Sequence, residues 1–222
     1  MKTPVTRASL KQHLTYNWWK YLLLAVAGFF LVDLLYTVTA YRAPADKVVE
    51  FYIYGYANQD ELDRYMAKVN KERMPDMEVM NSHVVLDDET YGAMMLTTYM
   101  AAGEGDLYLV PRDQFLSLAA QGALLPLEDN QELMDWFSGR GLSLQNGWRK
   151  ITETGENHLC GIPQEKVPGL IQYAWAQDGY LCVVVTGGNE ENTLKFLNYM
   201  VRDMAEAPEE SPAPEAEATA AP

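Results

Sequence analysis

Cysteine, histidine and positive charge are the scarce elements of this sequence. Two cysteines, Cys160 and Cys182, are too few for a disulfide scaffold, and three histidines leave little from which to build a zinc site. The nearest approach to a metal pattern, His158-Leu-Cys160, supplies too few ligands, so no metal is expected. Basic residues number 17 against 31 acidic ones, a formal net charge of -14. No basic stripe occurs outside residues 1–20, which excludes nucleic acid as a partner, because a phosphate backbone is bound by clustered Lys and Arg. Catalytic signatures are missing too. Gly103 and Gly105 are not followed by Gly-Lys-Ser/Thr and enclose no serine, which excludes a phosphate loop and a nucleophile elbow. Neither His83 nor His158 has a Ser or Cys beside it in a nucleophile motif, and most carboxylates read as caps or helix surface. A glycosidase pair needs no sequence proximity and leaves no such trace; on the remaining signals the chain reads as a non-enzyme without a cofactor.

The sequence does contain one long apolar run, Tyr21 to Ala40, interrupted only by Asp33. About 20 helical residues at ~1.5 Å each match a ~30 Å hydrocarbon core. Trp18, Trp19 and Tyr21 on one side, and Tyr36 and Tyr41 on the other, suit the two interfacial belts. Lys2, Arg7, Lys11 and Lys20 precede the run, while Arg42 and Lys47, diluted by Asp46, follow it. The positive-inside rule then places residues 1–20 in the cytoplasm, a transmembrane helix at 21–40 in the lipid bilayer, and the rest outside the cell membrane. A cleaved signal peptide is the alternative, since Val38-Thr-Ala40 has the small residues of a cleavage site; the long leader and long run favour a signal-anchor. Asp33 is a candidate contact for a partner in the membrane, or else leans toward water from near the outer end. In the oxidising space outside, Cys160 and Cys182 are a candidate disulfide; two buried free thiols are the alternative.

Residues 41–206 alternate strand and helix signals. Val48–Tyr54 is a strand of near-continuous apolar character, as burial on both faces demands. Asn58-Gln-Asp-Glu61 matches a capping box, followed by a helix burying Leu62, Tyr65, Met66 and Val69. A second strand is expected over 78–86. The next helix carries Tyr91, Met94, Met95, Tyr99 and Ala102 on one face, Gly103 and Gly105 end it, and 106–110 is a third strand. Asp113 is expected to cap a helix with Phe115, Leu116, Leu118 and Ala119, and Asn130 a short one with Leu133, Trp136 and Phe137. Residues 139–168 carry no clear pattern. Segments 171–176 and 180–186, joined by Gln177-Asp-Gly179, read as a hairpin. Asn189 is expected to cap a final helix burying Leu197, Met200, Val201 and Met204. Residues 207–222, rich in Pro, Ala and Glu, form an expected disordered tail.

The order of these elements and four short motifs resemble extracellular solute-binding proteins of ABC transporters, especially the sugar-binding group. The motifs are Met95-Leu-Thr-Thr-Tyr-Met-Ala-Ala-Gly103 with Gly105-Asp-Leu-Tyr108, Leu118-Ala-Ala-Gln-Gly-Ala-Leu-Leu-Pro-Leu127, Gly161-Ile-Pro163, and Glu191-Asn-Thr-Leu-Lys-Phe-Leu-Asn198. The family normally has two lobes, whereas residues 41–206 have the length of one ordinary domain. The resemblance therefore implies an α/β fold: a single periplasmic-binding-protein-like lobe with a mainly parallel sheet flanked by helices, preceded by one transmembrane helix. It implies a binding site between the first and third strands, with Tyr56, Asn58, Arg112, Asp113 and Trp175 as candidate ligand-binding residues. Helix capping by Asn58 and Asp113, solvent exposure of Arg112 and core burial of Trp175 are the plainer alternatives. The implied function is a membrane-tethered extracytoplasmic binding module for a carbohydrate or small solute. The alternative is an accessory subunit docking on a membrane permease or another membrane protein, marked by an exposed patch at Trp136, Trp148 or Trp175. If residues 21–40 are retained as an anchor, the protein will stay in membranes washed with alkaline carbonate and keep its N-terminus; a mature chain starting after Ala40, detected by mass, would show cleavage instead.

Overall fold

The computed structural model of the chain describes residues 7–86, 91–152, 154–185 and 188–206, with side chains from residue 15 onward. The expected disordered tail at 207–222 lies outside the described residues. The chain divides into two units, Met1–Arg42 and Ala43–Pro222.

The first unit contains helix α1, Arg7–Thr39. Its stretch Thr15–Thr39, 25 residues, is long and apolar enough to cross a membrane, a test that a signal sequence also passes. Asn17 leaves helical geometry at φ -116° and ψ 16°, so a kink separates the leader from the apolar run. Asparagine suits a break because its amide competes for neighbouring backbone groups. The hydroxyls of Thr37 and Thr39 donate to the carbonyls of Asp33 and Leu35 at 2.9 and 2.6 Å. These polar groups are thereby satisfied within the helix, as an apolar surrounding requires.

The second unit runs β1 (Val48–Tyr54), β2 (Tyr56–Ala57), α2 (Gln59–Arg73), β3 (Val79–Val85), α3 (Gly92–Ala101), β4 (Leu107–Val110), α4 (Arg112–Ala120) and α5 (Gln131–Gly139). It continues with β5 (Trp148–Lys150), β6 (Asn157–Leu159), β7 (Ile162–Pro163), β8 (Ala174–Trp175), β9 (Tyr180–Val183) and α6 (Glu190–Asp203). The main sheet has the order β3-β1-β4-β9-β7; β1 is parallel to both of its neighbours, and β9 is antiparallel to both of its own. The expected β-α-β-α-β unit is present, with α2 and α3 as its crossovers.

The two-residue period of a strand divides the core. Val49, Phe51, Ile53, Leu107, Leu109, Leu181 and Val183 meet α2, α5 and α6 on one face. Tyr52, Tyr54, Tyr108, Val110, Tyr180 and Cys182 meet Leu96 of α3 and Phe115 of α4 on the other. The tyrosine face is ordered by ring contacts: Tyr52 stacks on Tyr108 at 5.3 Å, and Tyr180 on Phe115 at 4.1 Å. The sheet edges are closed. Ser82 of edge strand β3 donates its N–H and hydroxyl to Asp63 at 3.3 and 2.5 Å, while the Gln59 amide donates to its carbonyl at 3.0 Å. At the other edge β7 is only two residues and ends in Pro163, which has no N–H to offer.

Several expectations are corrected. The hairpin of 171–176 with 180–186 does not form: β9 lies inside the main sheet, β8 pairs instead with β2, and Ile171 belongs to a 3-10 turn, Pro168–Gln172. The Asp-Gly turn is real, but β9 is buried at every residue and demands strand partners on both sides. Helix α3 buries Gly92 and Leu96, leaving Tyr91, Met94, Met95 and Ala102 exposed. An uncharged helix is apolar all round, so its sequence does not reveal the buried side. Asn130 caps α5 as expected, accepting the Leu133 N–H at 3.2 Å. The side chains of Asn58 and Asn189 occupy cap positions without capping, and Pro111 rather than Asp113 holds that position at α4. Asn189 instead donates to the Val48 carbonyl, tying α6 to the start of β1.

Among the described residues of this unit one carboxyl, that of Asp106, is strongly perturbed. Asp106 accepts the Glu50 N–H at 2.9 Å, yet burial pushes its pKa up to about 6; that hydrogen bond lowers it, and the nearby carboxylates of Glu50 and Glu190 raise it. A carboxyl raised in the folded state adds stability below its unfolded pKa that is lost as pH rises through the folded one. Asp106→Asn, which keeps an acceptor for the Glu50 N–H, should match the parent near pH 4 and gain about 2 kcal/mol by pH 8. Denaturant titrations across this range would refute the assignment if both proteins lose stability in parallel.

Candidate functional site

The chain leaves β1 for β3 on one side and returns to β4 on the other, so strand order reverses between β1 and β4. Open α/β sheets bind ligands at the carboxyl ends of strands at such a point. Here the segment from Pro163 to Gly179 is bonded to both strand exits. The Asn58 N–H donates to the Tyr173 carbonyl at 2.8 Å, and the Arg112 N–H to that of Gln177 at 3.4 Å. The approach is closest at Gly55, where a Cβ would come within 2.4 Å of the Trp175 carbonyl oxygen.

Pairing of β2 with β8 sets Tyr56 directly opposite Trp175. Opposed residues of an antiparallel pair share a face, so both rings rise from the same side. They are 69% and 47% exposed, which corrects the alternative that Trp175 belongs to the core. Behind them, the buried Gln164 side chain acts as a short substitute strand. Its amide donates to the Ala174 carbonyl at 2.8 Å, and its oxygen accepts the Ala176 N–H at 3.2 Å. Both polar atoms of a buried amide are thus satisfied. The following turn is closed by Gly179 N–H donating to Ala176 O at 3.1 Å, with Asp178 at φ 46° in the position that ordinarily takes glycine.

Two adjoining cavities open here. The larger, about 420 Å³, is lined by Glu165, Pro168, Ile171, Trp175, Ala176 and Asp178 among others, and is mostly apolar. The smaller, about 300 Å³, includes Arg112, Asn146, Pro163 and Tyr180, and shares Glu165, Asp178 and Gly179 with the first. The structure thus brings together Tyr56, Trp175 and Arg112 of the expected site. Asp113 lies in the first turn of α4, where its charge suits the helix dipole, and Asn58 at the start of α2; neither lines either of these two cavities. Gln164, Glu165 and Asp178 were missed. Asp178-Gly179 was visible only as a turn, and Gln164 only as the residue after Gly161-Ile-Pro163.

Other titratable groups lie elsewhere. His158 meets Glu128 at 2.5 Å, and this hydrogen bond, ahead of the further carboxylate of Glu156, raises its proton affinity. The His83 ring lies tilted against Tyr52, 4.7 Å between centroids. Neither imidazole lines either cavity. Cys160 and Cys182, the candidate bridge, are two free thiols buried in the tyrosine-face core, and burial pushes both thiols up, away from the reactive thiolate. Among the described residues no group of three His, Cys, Asp or Glu side chains is placed to hold a metal ion.

No protein-family model matches the chain, and no curated protein matches it. Among solved structures it is similar to an N-glycan transport solute-binding protein (NgtS) from Streptococcus pneumoniae, at 19% identity and a TM-score of 0.37, covering 52% of this chain and 24% of that one. A family 1 extracellular solute-binding protein from Alicyclobacillus acidocaldarius aligns at 17% identity and 0.35, covering 55% and 29%. A sugar transporter from Rhizobium etli in an open conformation aligns at 9% identity and 0.32, covering 52% and 28%. The chain spans less than a third of the length of each of these proteins.

The left-handed geometry of Asp178 yields a prediction. Glycine relieves the side-chain clash at positive φ but adds unfolded-chain entropy, so Asp178→Gly should stabilise the unit by about 0.5 kcal/mol. A lower denaturation midpoint would show that the Asp178 carboxylate contributes more to the turn than its backbone geometry costs.

Proposed function

We propose that the chain is a membrane-tethered, extracytoplasmic and non-catalytic binding module, built as one lobe like the N-terminal lobe of a solute-binding protein. It takes a small solute or carbohydrate at the crevice beyond β1 and β4. The observation that carries this reading is the Tyr56–Trp175 pair, two exposed rings on one face beside two cavities at the switch point. Aromatic faces in this arrangement suit the C–H face of a sugar or another apolar ring. The motifs quoted above support the same lobe, and the apolar helix α1 suits an anchor.

One observation favours the accessory-subunit alternative. Tyr91, Met94 and Met95 are exposed together at the start of α3, which carries no charged residue. The tryptophans Trp136 and Trp148 do not contribute such a patch: both pack against the core, and the Arg140 guanidinium covers the Trp136 ring at 4.2 Å.

A panel of sugars, oligosaccharides, amino acids and peptides tests the reading by thermal shift. A true ligand at a hundred times its dissociation constant adds about 2.7 kcal/mol, and Trp175→Ala should abolish that gain while leaving the melting temperature of the free protein nearly unchanged. Absence of any shift across the panel would leave the docking alternative as the better account.

A further inference from the structure

The arginine of the crevice differs from the others of the second unit. Every other arginine of the second unit has its guanidinium engaged. Arg64 pairs with Glu61, Arg73 with Asp203 and Arg202 with Glu132. Arg140 lies over Trp136, and Arg149 bonds the Trp148 carbonyl and lies over Phe115. Arg112 alone has no side-chain partner among the described residues, although acids outnumber bases 31 to 17. Asp178 likewise has no side-chain partner among the described residues. Both line the smaller cavity. Glu165, the other acid there, is offset by Lys166 at 3.2 Å.

We propose that the crevice binds a small zwitterion with an apolar body, of the class of α-amino acids with a large apolar or aromatic side chain. Arg112 takes the carboxylate, Asp178 takes the ammonium, and the side chain enters the larger cavity against Trp175, Ile171 and Pro168. Two oppositely charged residues that line one cavity and form no ion pair with each other are complementary to a ligand carrying both charges. Such a ligand replaces the hydration of each charge with a charge-assisted hydrogen bond, whereas a neutral solute strips that hydration and returns less. Asp178 is also held in left-handed geometry where glycine would fit more easily, so the position presents a carboxylate at the expense of backbone comfort. This assignment rests on the binding-module reading and narrows its ligand.

The test uses the full chain in detergent with four probes: L-phenylalanine, phenethylamine with the ammonium only, 3-phenylpropionate with the carboxylate only, and maltose as a neutral sugar. Calorimetry should show phenylalanine bound at least ~10-fold more tightly than either single-charge analogue. Arg112→Gln should reduce phenylalanine to the level of phenethylamine, and Asp178→Asn to that of 3-phenylpropionate. Near-UV circular dichroism would establish that both variants fold. Equal affinity for the three aromatic probes, or phenylalanine binding indifferent to both substitutions, overturns the zwitterion assignment. Maltose binding that depends on Trp175, with no binding of phenylalanine, overturns it while leaving the binding module intact. If none of the four binds, the assignment falls; the wider panel then decides the module reading separately.

Discussion

Strand β1 has no face toward water and no free edge, and this constraint organises everything around it. Phe51 and Ile53 point to one helical layer, Tyr52 and Tyr54 to the other, and β3 and β4 flank its two edges, with the Asp106 carboxylate taking the Glu50 N–H and the Val48 carbonyl taking the Asn189 amide. A strand so enclosed is central, and here it is parallel to both neighbours because crossover helices connect it to them and cover its two faces. It follows that α2 lies over one face and α3 over the other. The first crossover carries the chain from β1 to β3 on one side and the second brings it back past β1 to β4 on the other, so a crevice at the carboxyl ends of β1 and β4 follows from the topology. Asp63 and Gln59 then spend their hydrogen bonds on Ser82, closing an edge that the parallel core would otherwise present to other chains.

The parts legible from sequence are those whose signal is local and strong. The unbroken apolar run of β1, the periodic Leu62, Met66 and Val69 of α2, and Gly103 and Gly105 at positive φ after α3 needed no knowledge of distant contacts. The failures share a physical cause. An Asp-Gly turn reports a local reversal but not which partners the flanking strands choose, and β9 chose β4 and β7 because its buried residues needed a sheet on both sides. Helix α3 has apolar residues all round, so a shift of one position exchanged the buried face for the exposed one. The cap residues failed differently. Asn58 and Asn189 stand at helix starts, but the Asn189 amide found a tertiary acceptor on β1.

The site divides along the same line. Tyr56 and Arg112 follow directly from strands, so counting from a strand end located them. Gln164, Glu165 and Asp178 belong to a segment whose path is fixed by a side-chain amide bonding the backbone ten and twelve residues further on. No propensity scale encodes that bond. The Asp178 conformation is hidden for a similar reason: aspartate tolerates positive φ well enough to appear there, but only the closed turn shows that it does.

An open crevice buries less of a ligand than an enclosed pocket, so for the proposed ligand apolar contact supplies only part of the affinity and directed polar contacts supply the rest. That makes the state of the charges decisive. The chain carries a net charge of -14, and a negative field of this kind repels anions and draws cations toward its surface. Screening confines the field to roughly 8 Å at physiological ionic strength, but the crevice is that close to its own acids. A simple anion must therefore approach Arg112 past Asp178. A simple cation would find the acids but meet Arg112 beside them. A ligand with no net charge and a strong internal dipole avoids both penalties, and it is the kind of solute for which leaving Arg112 and Asp178 unpaired is an advantage rather than a cost.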